Sequence, residues 1–188
     1  MYSLKKIIHI TKYNFWDKWG FIYLERPLDD TILNIPKIEK SILIRMAKKK
    51  DILKITSDIF PYLTQEEIDH DGKYIKNILD NDFSCVIAEK DDIIVHYFLF
   101  YGKVYNSPLI KTPINKKLIH SNDSFLGGVF TVPSARGLWI SQYSLSMILL
   151  HLRDFVKSKK VFAIVHKNTP GAEDFFKING FNVIKDAR

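Results

Sequence analysis

The stretch Val132-Pro133-Ser134-Ala135-Arg136-Gly137 carries the chemistry most open to reading from the sequence. It stands directly before a long run with apolar residues at helical spacing, so it opens a helix. A helix N-terminus presents unpaired backbone N–H groups and the positive end of the helix dipole. Together these form a ready site for a pyrophosphate, and Arg136 can add charge-assisted hydrogen bonds to phosphate oxygens. Lys157, Lys159, Lys160 and Lys167 lie in the same third of the chain and can add to the positive field, although a single lysine is more often a solvated surface charge. Groups able to move a proton are more scattered. His96, His120, His166 and Asp123 can accept one, and Tyr105 and Tyr143 can give one. A strand histidine is more often structural than basic, so His96 and His166 carry both readings. Cys85 is the single cysteine, which excludes a disulfide framework and a multi-cysteine zinc site.

The elements that must position these groups follow from periodicity. Residues 3–13 place Leu4, Ile7 and Ile8 at the spacing of a short helix, and GFIYLERPL (20–28) reads as a strand stopped by Pro27. Residues 29–37 are turn-like and divide an N-terminal extension, 1–37, from a main domain, 38–188. SILIRMA (41–47) reads as a buried strand. Ile52, Ile55 and Ile59 fit a helix that Pro61 ends. Thr64 and Glu67 have the spacing of a capping box, opening a helix to about Leu79. FSCVIAEK and IIVHYFLFY form a hairpin about Asp91-Asp92.

Residues 103–122 read as a long loop, a feature that is often functional in compact domains. SFLGGVFTV (124–132) is a strand in which Gly127 and Gly128 suggest a bulge or a close backbone approach. Leu145, Ile148, Leu149, Leu152 and Val156 predict a long amphipathic helix. KKVFAIVHK is a strand with an apolar centre, NTPGAEDFFKING a short helix, and FNVIKD a closing strand. The fold class is therefore α/β.

At 188 residues and 46% hydrophobic composition, the chain is long and apolar enough for one packed domain. No apolar run approaches the ~20 residues of a membrane span, and the N-terminus lacks the pattern of a signal peptide. The lone cysteine fits a reducing compartment, so a cytoplasmic location is expected. The formal net charge is +7, of which +5 falls in residues 124–188. Such a surface can attract nucleic acid, an acidic membrane or a phosphorylated small molecule. The basic residues do not form a dense stripe and no nucleic-acid-binding motif is present, which argues against a basic nucleic-acid-binding module.

The ordered series Val132-Pro133, Arg136-Gly137, Asn168 and Gly180-Phe181, with its intervening strand and helices, resembles the GNAT superfamily of acyl-CoA-dependent N-acetyltransferases. The resemblance is clearest over 124–182, and the order of elements over 41–102 also agrees. It implies a mixed, mostly antiparallel sheet flanked by helices, here preceded by a helix-and-strand extension. It also implies acetyl-CoA as acyl donor, with direct transfer of the acetyl group to a primary amine. Phe130, Val132, Arg136, Gly137, Leu138, Trp139, Ile140, Ser141 and Asn168 are then the expected contacts to that donor. The backbone of 129–132 would pair with the pantetheine arm, and the side chain of Asn168 would anchor it or else cap the next helix.

Because an alkylamine is mostly protonated at neutral pH, the reaction calls for a general base. His96, His166 and Asp123 are the expected candidates, with Tyr143 as a candidate acid. Two departures stand out. Trp139 and Ser141 occupy positions where the family usually has Gly or Ala. Phe176 stands where many members have a Tyr that protonates the leaving thiolate. A catalytically weakened protein that still binds coenzyme A is therefore the alternative.

The N-terminal extension resembles that of bacterial surface-polysaccharide acetyltransferases, which makes an amino-sugar on a nucleotide carrier one expected acceptor. No metal is implied. Only one strand follows Gly180, so strand 20–27 or a second subunit is expected to cover the sheet edge, and a homodimer is anticipated.

Overall fold

The computed structural model describes residues 20–28, 35–76, 83–112 and 114–184. The expected helix at 3–13 lies outside them. Seven strands form one sheet: β1 (Phe21–Pro27), β2 (Ile42–Met46), β3 (Phe83–Lys90), β4 (Ile93–Tyr101), β5 (Ser124–Thr131), β6 (Lys160–His166) and β7 (Asn182–Val183). Among the described residues four α-helices accompany them: α1 (Asp51–Ile59), α2 (Gln65–Lys76), α3 (Ile140–His151) and α4 (Ala172–Ile178). The strand order is β2-β3-β4-β5-β6-β1-β7. All pairings are antiparallel except β5–β6. This is the mixed, mostly antiparallel sheet that the sequence led us to expect.

Several local signals work as their chemistry predicts. Asp91 and Asp92 both adopt positive φ between β3 and β4, as a two-residue hairpin turn requires. Thr64 and Glu67 form the reciprocal capping box, with Glu67 Oε2 accepting from the Thr64 backbone N–H at 2.7 Å and Thr64 Oγ1 accepting from the Glu67 N–H at 3.3 Å. After α3 the chain winds through one wider π-turn at Leu152–Val156 and is stopped by Lys157 at φ 60°.

Alternation along the central strands divides the core. Phe98 and Phe100 of β4 face α3 and meet Leu145, Ile148, Leu149 and Leu152. Tyr97, Leu99 and Tyr101 point to the other face, toward Ile55 and Ile59 of α1. On that second face, residues 103–122 are more than a loop. They form three short 3-10 turns, and Val104, Leu109, Ile114 and Ile119 are buried in the core.

An ion network ties α1 to the sheet. Arg45 of β2 makes two hydrogen bonds to Asp51, at 2.7 and 3.0 Å, and a short one to Glu89 of β3. The Arg45 guanidinium holds the Asp51 carboxyl down at about 2, helped by the Lys48 N–H.

Two elements differ from expectation. β2 is an edge strand rather than a covered one, because nothing pairs with its outer side among the described residues, and Leu43 is exposed there. The closing strand pairs with β1 at Asn182–Val183, and the Ile184 N–H donates to the Tyr23 carbonyl at 2.9 Å; the rest of it, 185–188, lies outside the described residues.

β1 supplies the cover anticipated for the sheet edge. It lies between β6 and β7, with Phe21 opposite His166 and Pro27 opposite Lys160. Arg26 of β1 is largely buried and donates to the Asn179 carbonyl just past α4. That bond fastens the end of α4 to the strand.

Candidate active site

The site begins with a fork between β5 and β6. The strands pair in parallel at Ser124–Val161, Phe125–Phe162 and Leu126–Ala163, and no further. Both continue, to Thr131 and to His166, without pairing to one another. A bulge on the other side of β5 accompanies the split. Phe98 stands opposite Val129 and Phe100 opposite Leu126, so β5 fits one extra residue against β4. Gly127 makes this possible, since a Cβ there would lie 3.2 Å from the Leu99 Cβ. An added residue of this kind bends and twists its strand.

Beyond the fork, the chain turns through a short 3-10 segment, Pro133–Ala135, into α3. Gly137 has φ +79° and Trp139 φ +61°. Trp139 thus takes up the left-handed backbone that glycine adopts freely, and it is the N-cap of α3 without a side-chain cap. Its ring is not a core aromatic; it is 60% exposed. Below it lies a cavity of about 270 Å³ between the N-terminus of α3 and α4, lined by Thr131, Arg136, Trp139, Ser141, Phe175 and Ile178 among others. Arg136 is exposed, donates to the Thr131 carbonyl at 3.2 Å and lies 5.9 Å above the Phe130 ring. Phe130 stacks in turn on Tyr97.

The expected donor contacts fall around this cavity to different degrees. Arg136, Gly137, Trp139 and Ser141 line it. Leu138 is half-buried, and Ile140 and Val132 are buried beside it in the core. The Val132 N–H is taken by the Val95 carbonyl at 2.9 Å. Asn168 is exposed in the turn after β6, and its backbone N–H donates to His166 Nδ1 at 3.1 Å. Asn168 does not cap α4, whose N-cap is Gly171.

The proton-transfer candidates are dispersed. His96 is fully buried, and burial pushes its pKa down to about 3. Its Nδ1 is 2.8 Å from Thr131 Oγ1, which is 3.0 Å from Ser141 Oγ. His166 sits half-buried at the end of β6, edge-on to Phe21. Asp123 is fully buried at the opposite end of β5 from Thr131, and burial raises its pKa. One Asp123 oxygen accepts from the His120 N–H at 2.7 Å, and the other has no hydrogen-bond partner. Tyr143 is half-buried on α3, off the cavity. Tyr105 lies in the first 3-10 turn of residues 103–122. Phe176 is buried against Phe175 and Phe181, and it is Phe175 that reaches the cavity.

Thr131, Gln142, Phe175 and Ile178 are cavity residues that sequence reasoning missed. Only the placement of α4 over α3 reveals them. Among the described residues no cluster of metal-ligating side chains occurs, and no helix is long and apolar enough to cross a membrane.

No family model matches the sequence, and no curated protein matches it. Solved structures do. One is a predicted acetyltransferase from Clostridium acetobutylicum solved with acetyl-CoA, at 17% identity and TM-score 0.56, covering 78% of this chain and 94% of that one. Another is an aminoglycoside acetyltransferase from an uncultured soil sample in complex with sisomicin, at 15% identity and TM-score 0.54, covering 76% and 90%. A third is a GCN5-related N-acetyltransferase from Kribbella flavida, at 12% identity and TM-score 0.56. This chain is covered over 93% of its length there but spans only 60% of that protein. The architecture is that of the GNAT fold, and the likeness is one of fold.

Proposed function

We propose that this chain is an acyl-CoA-dependent N-acetyltransferase that moves an acetyl group from acetyl-CoA to a primary amine. The observation that carries the reading is the fork between β5 and β6 opening toward the Arg136 turn. Beyond Leu126, β5 leaves backbone groups unpaired toward β6, where an extended amide-bearing arm can add like a strand. The N-terminus of α3 and Arg136 then meet the phosphates. The net +5 over residues 124–188 suits a donor with several phosphates. The chain's residues fit coenzyme A in this respect despite Trp139, because the left-handed backbone at that position is kept.

Of the candidate bases, Asp123 is the one the reading favours. A group held near pKa 3, as His96 is, accepts protons poorly from an amine whose own pKa is about 10. Asp123 is pushed the other way, has an oxygen without a partner and lies three residues before the fork opens. His166, at the far end of β6, belongs to the mouth of the fork. In this reading an N–H of the β5 backbone polarises the thioester carbonyl. No side chain of α4 carries a hydroxyl, so the leaving thiolate takes its proton from water or from Tyr143.

The acceptor is a primary amine, and the amino-sugar of a nucleotide-linked sugar is the member of that class to test first. Thiol release from acetyl-CoA, followed across amino-sugar nucleotides, aminoglycosides, polyamines and amino acids, tests the reading. Arg136→Ala is expected to weaken coenzyme A binding about tenfold, as for the loss of a charged hydrogen bond. Absence of both coenzyme A binding and thiol release would refute the proposal.

A further inference from the structure

We propose that His96 is a positioning residue for the anion end of the cavity: acting through Thr131, it sets the Ser141 hydroxyl to donate its proton into the space beside Arg136. This rests on the reading of that space as the donor's phosphate site.

Three groups form a chain. His96 Nδ1 lies 2.8 Å from Thr131 Oγ1, and Thr131 Oγ1 lies 3.0 Å from Ser141 Oγ. His96 and Thr131 are directly opposed across β4 and β5, so the sheet itself sets the first link. Ser141 is in the first turn of α3, and both hydroxyls border the cavity. The chain therefore runs from a fully buried ring to the wall of an open cavity.

Each hydroxyl has one proton and two acceptor lone pairs, and two of the possible arrangements pass the protons in a single direction along the chain. In one, Nδ1–H donates to Thr131, Thr131 donates to Ser141, and the Ser141 proton is left for the cavity. In the other, Ser141 donates to Thr131 and Thr131 to a bare Nδ1, which turns only lone pairs to the cavity. The second direction also puts the ring proton on Nε2. That atom is buried and has no partner, and an orphaned buried N–H is the rarer and costlier defect. Nε2 has nothing to donate to, whereas Nδ1 has Thr131 Oγ1 within hydrogen-bond reach. Burial keeps the ring neutral with a single proton, so the direction is held rather than switched. A donor hydroxyl next to Arg136 suits an oxyanion and disfavours a cation.

The test uses the whole chain with 15N-labelled histidine and inorganic pyrophosphate as probe. The His96 ring is expected to carry its proton on Nδ1, free and with pyrophosphate bound. Ser141→Ala and Thr131→Val should each weaken pyrophosphate binding about tenfold. The double variant should be no weaker than Ser141→Ala alone, because the two act in series, and Thr131→Ser should restore binding. A proton on Nε2 overturns the proposal. So does Ser141→Ala binding within twofold of wild type, or a wild-type chain that does not bind pyrophosphate. Coenzyme A binding, measured separately, decides the donor reading itself, so the relay can fail while that reading stands.

Discussion

Gly127 of β5 sits so close to Leu99 of β4 that a Cβ on the glycine would lie 3.2 Å from the leucine Cβ and 3.4 Å from its carbonyl oxygen. That approach accompanies the bulge at which the fork opens. Gly127→Val should therefore strain the bulge and lower stability by about 1–3 kcal/mol, the usual range for overpacking. A urea midpoint unchanged from wild type would show that Leu99 can yield.

Trp139 should be worth more as glycine. Its φ of +61° costs a residue with a Cβ about 1–2 kcal/mol, and its exposed ring loses little packing on removal. The extra freedom of glycine in the unfolded chain returns roughly 0.5–1 kcal/mol of that. Trp139→Gly is thus expected to raise the melting temperature by about 2–4 °C and to tighten coenzyme A binding. Calorimetry with and without coenzyme A checks both. A lower melting temperature would mean that the indole packs better than its exposure suggests.

Asp51 makes stability depend on acid pH. Its folded pKa is about 2 against an ordinary 3.8, so ionised Asp51 stabilises the fold above pH 4. That contribution, about 2 kcal/mol, is lost as pH falls from about 4 through 2. Asp51→Asn should cost about this much at pH 7 and flatten the acid limb. Urea titrations at pH 7 and pH 2.5 make the comparison, and parallel losses in the two proteins would refute it.

Asp123 has the opposite sign. Its raised pKa means that the protonated form is favoured in the fold. Its stabilising contribution is present below the ordinary carboxylate pKa and lost as pH rises through the folded value. Asp123→Asn should accordingly be no less stable than wild type at pH 7. If Asp123 is the base, the same variant lowers kcat about 100-fold or more while leaving coenzyme A affinity within twofold. An unchanged kcat would remove Asp123 from the mechanism.

Short-range spacing determined much of this protein before any coordinates. The hairpin at Asp91-Asp92, the Thr64–Glu67 capping box, the α3 stripe and the Arg136 turn before it depend on neighbours a few residues apart. Such interactions are written in the order of residues. The bulge was legible too, because two adjacent glycines in a strand have few other uses. Tertiary structure decided the rest. Whether β1 would lie beside β6, some 140 residues later in the chain, depended on which strand could bury an open edge, not on any local pattern. The exposure of Trp139, the approach of Phe175 to the cavity and the His96–Thr131–Ser141 chain likewise arise only where distant segments pack. Sequence named His96, Asp123 and Ser141. Burial, which sequence spacing does not measure, is what separated a neutral ring at about pKa 3 from a carboxyl held above its ordinary value.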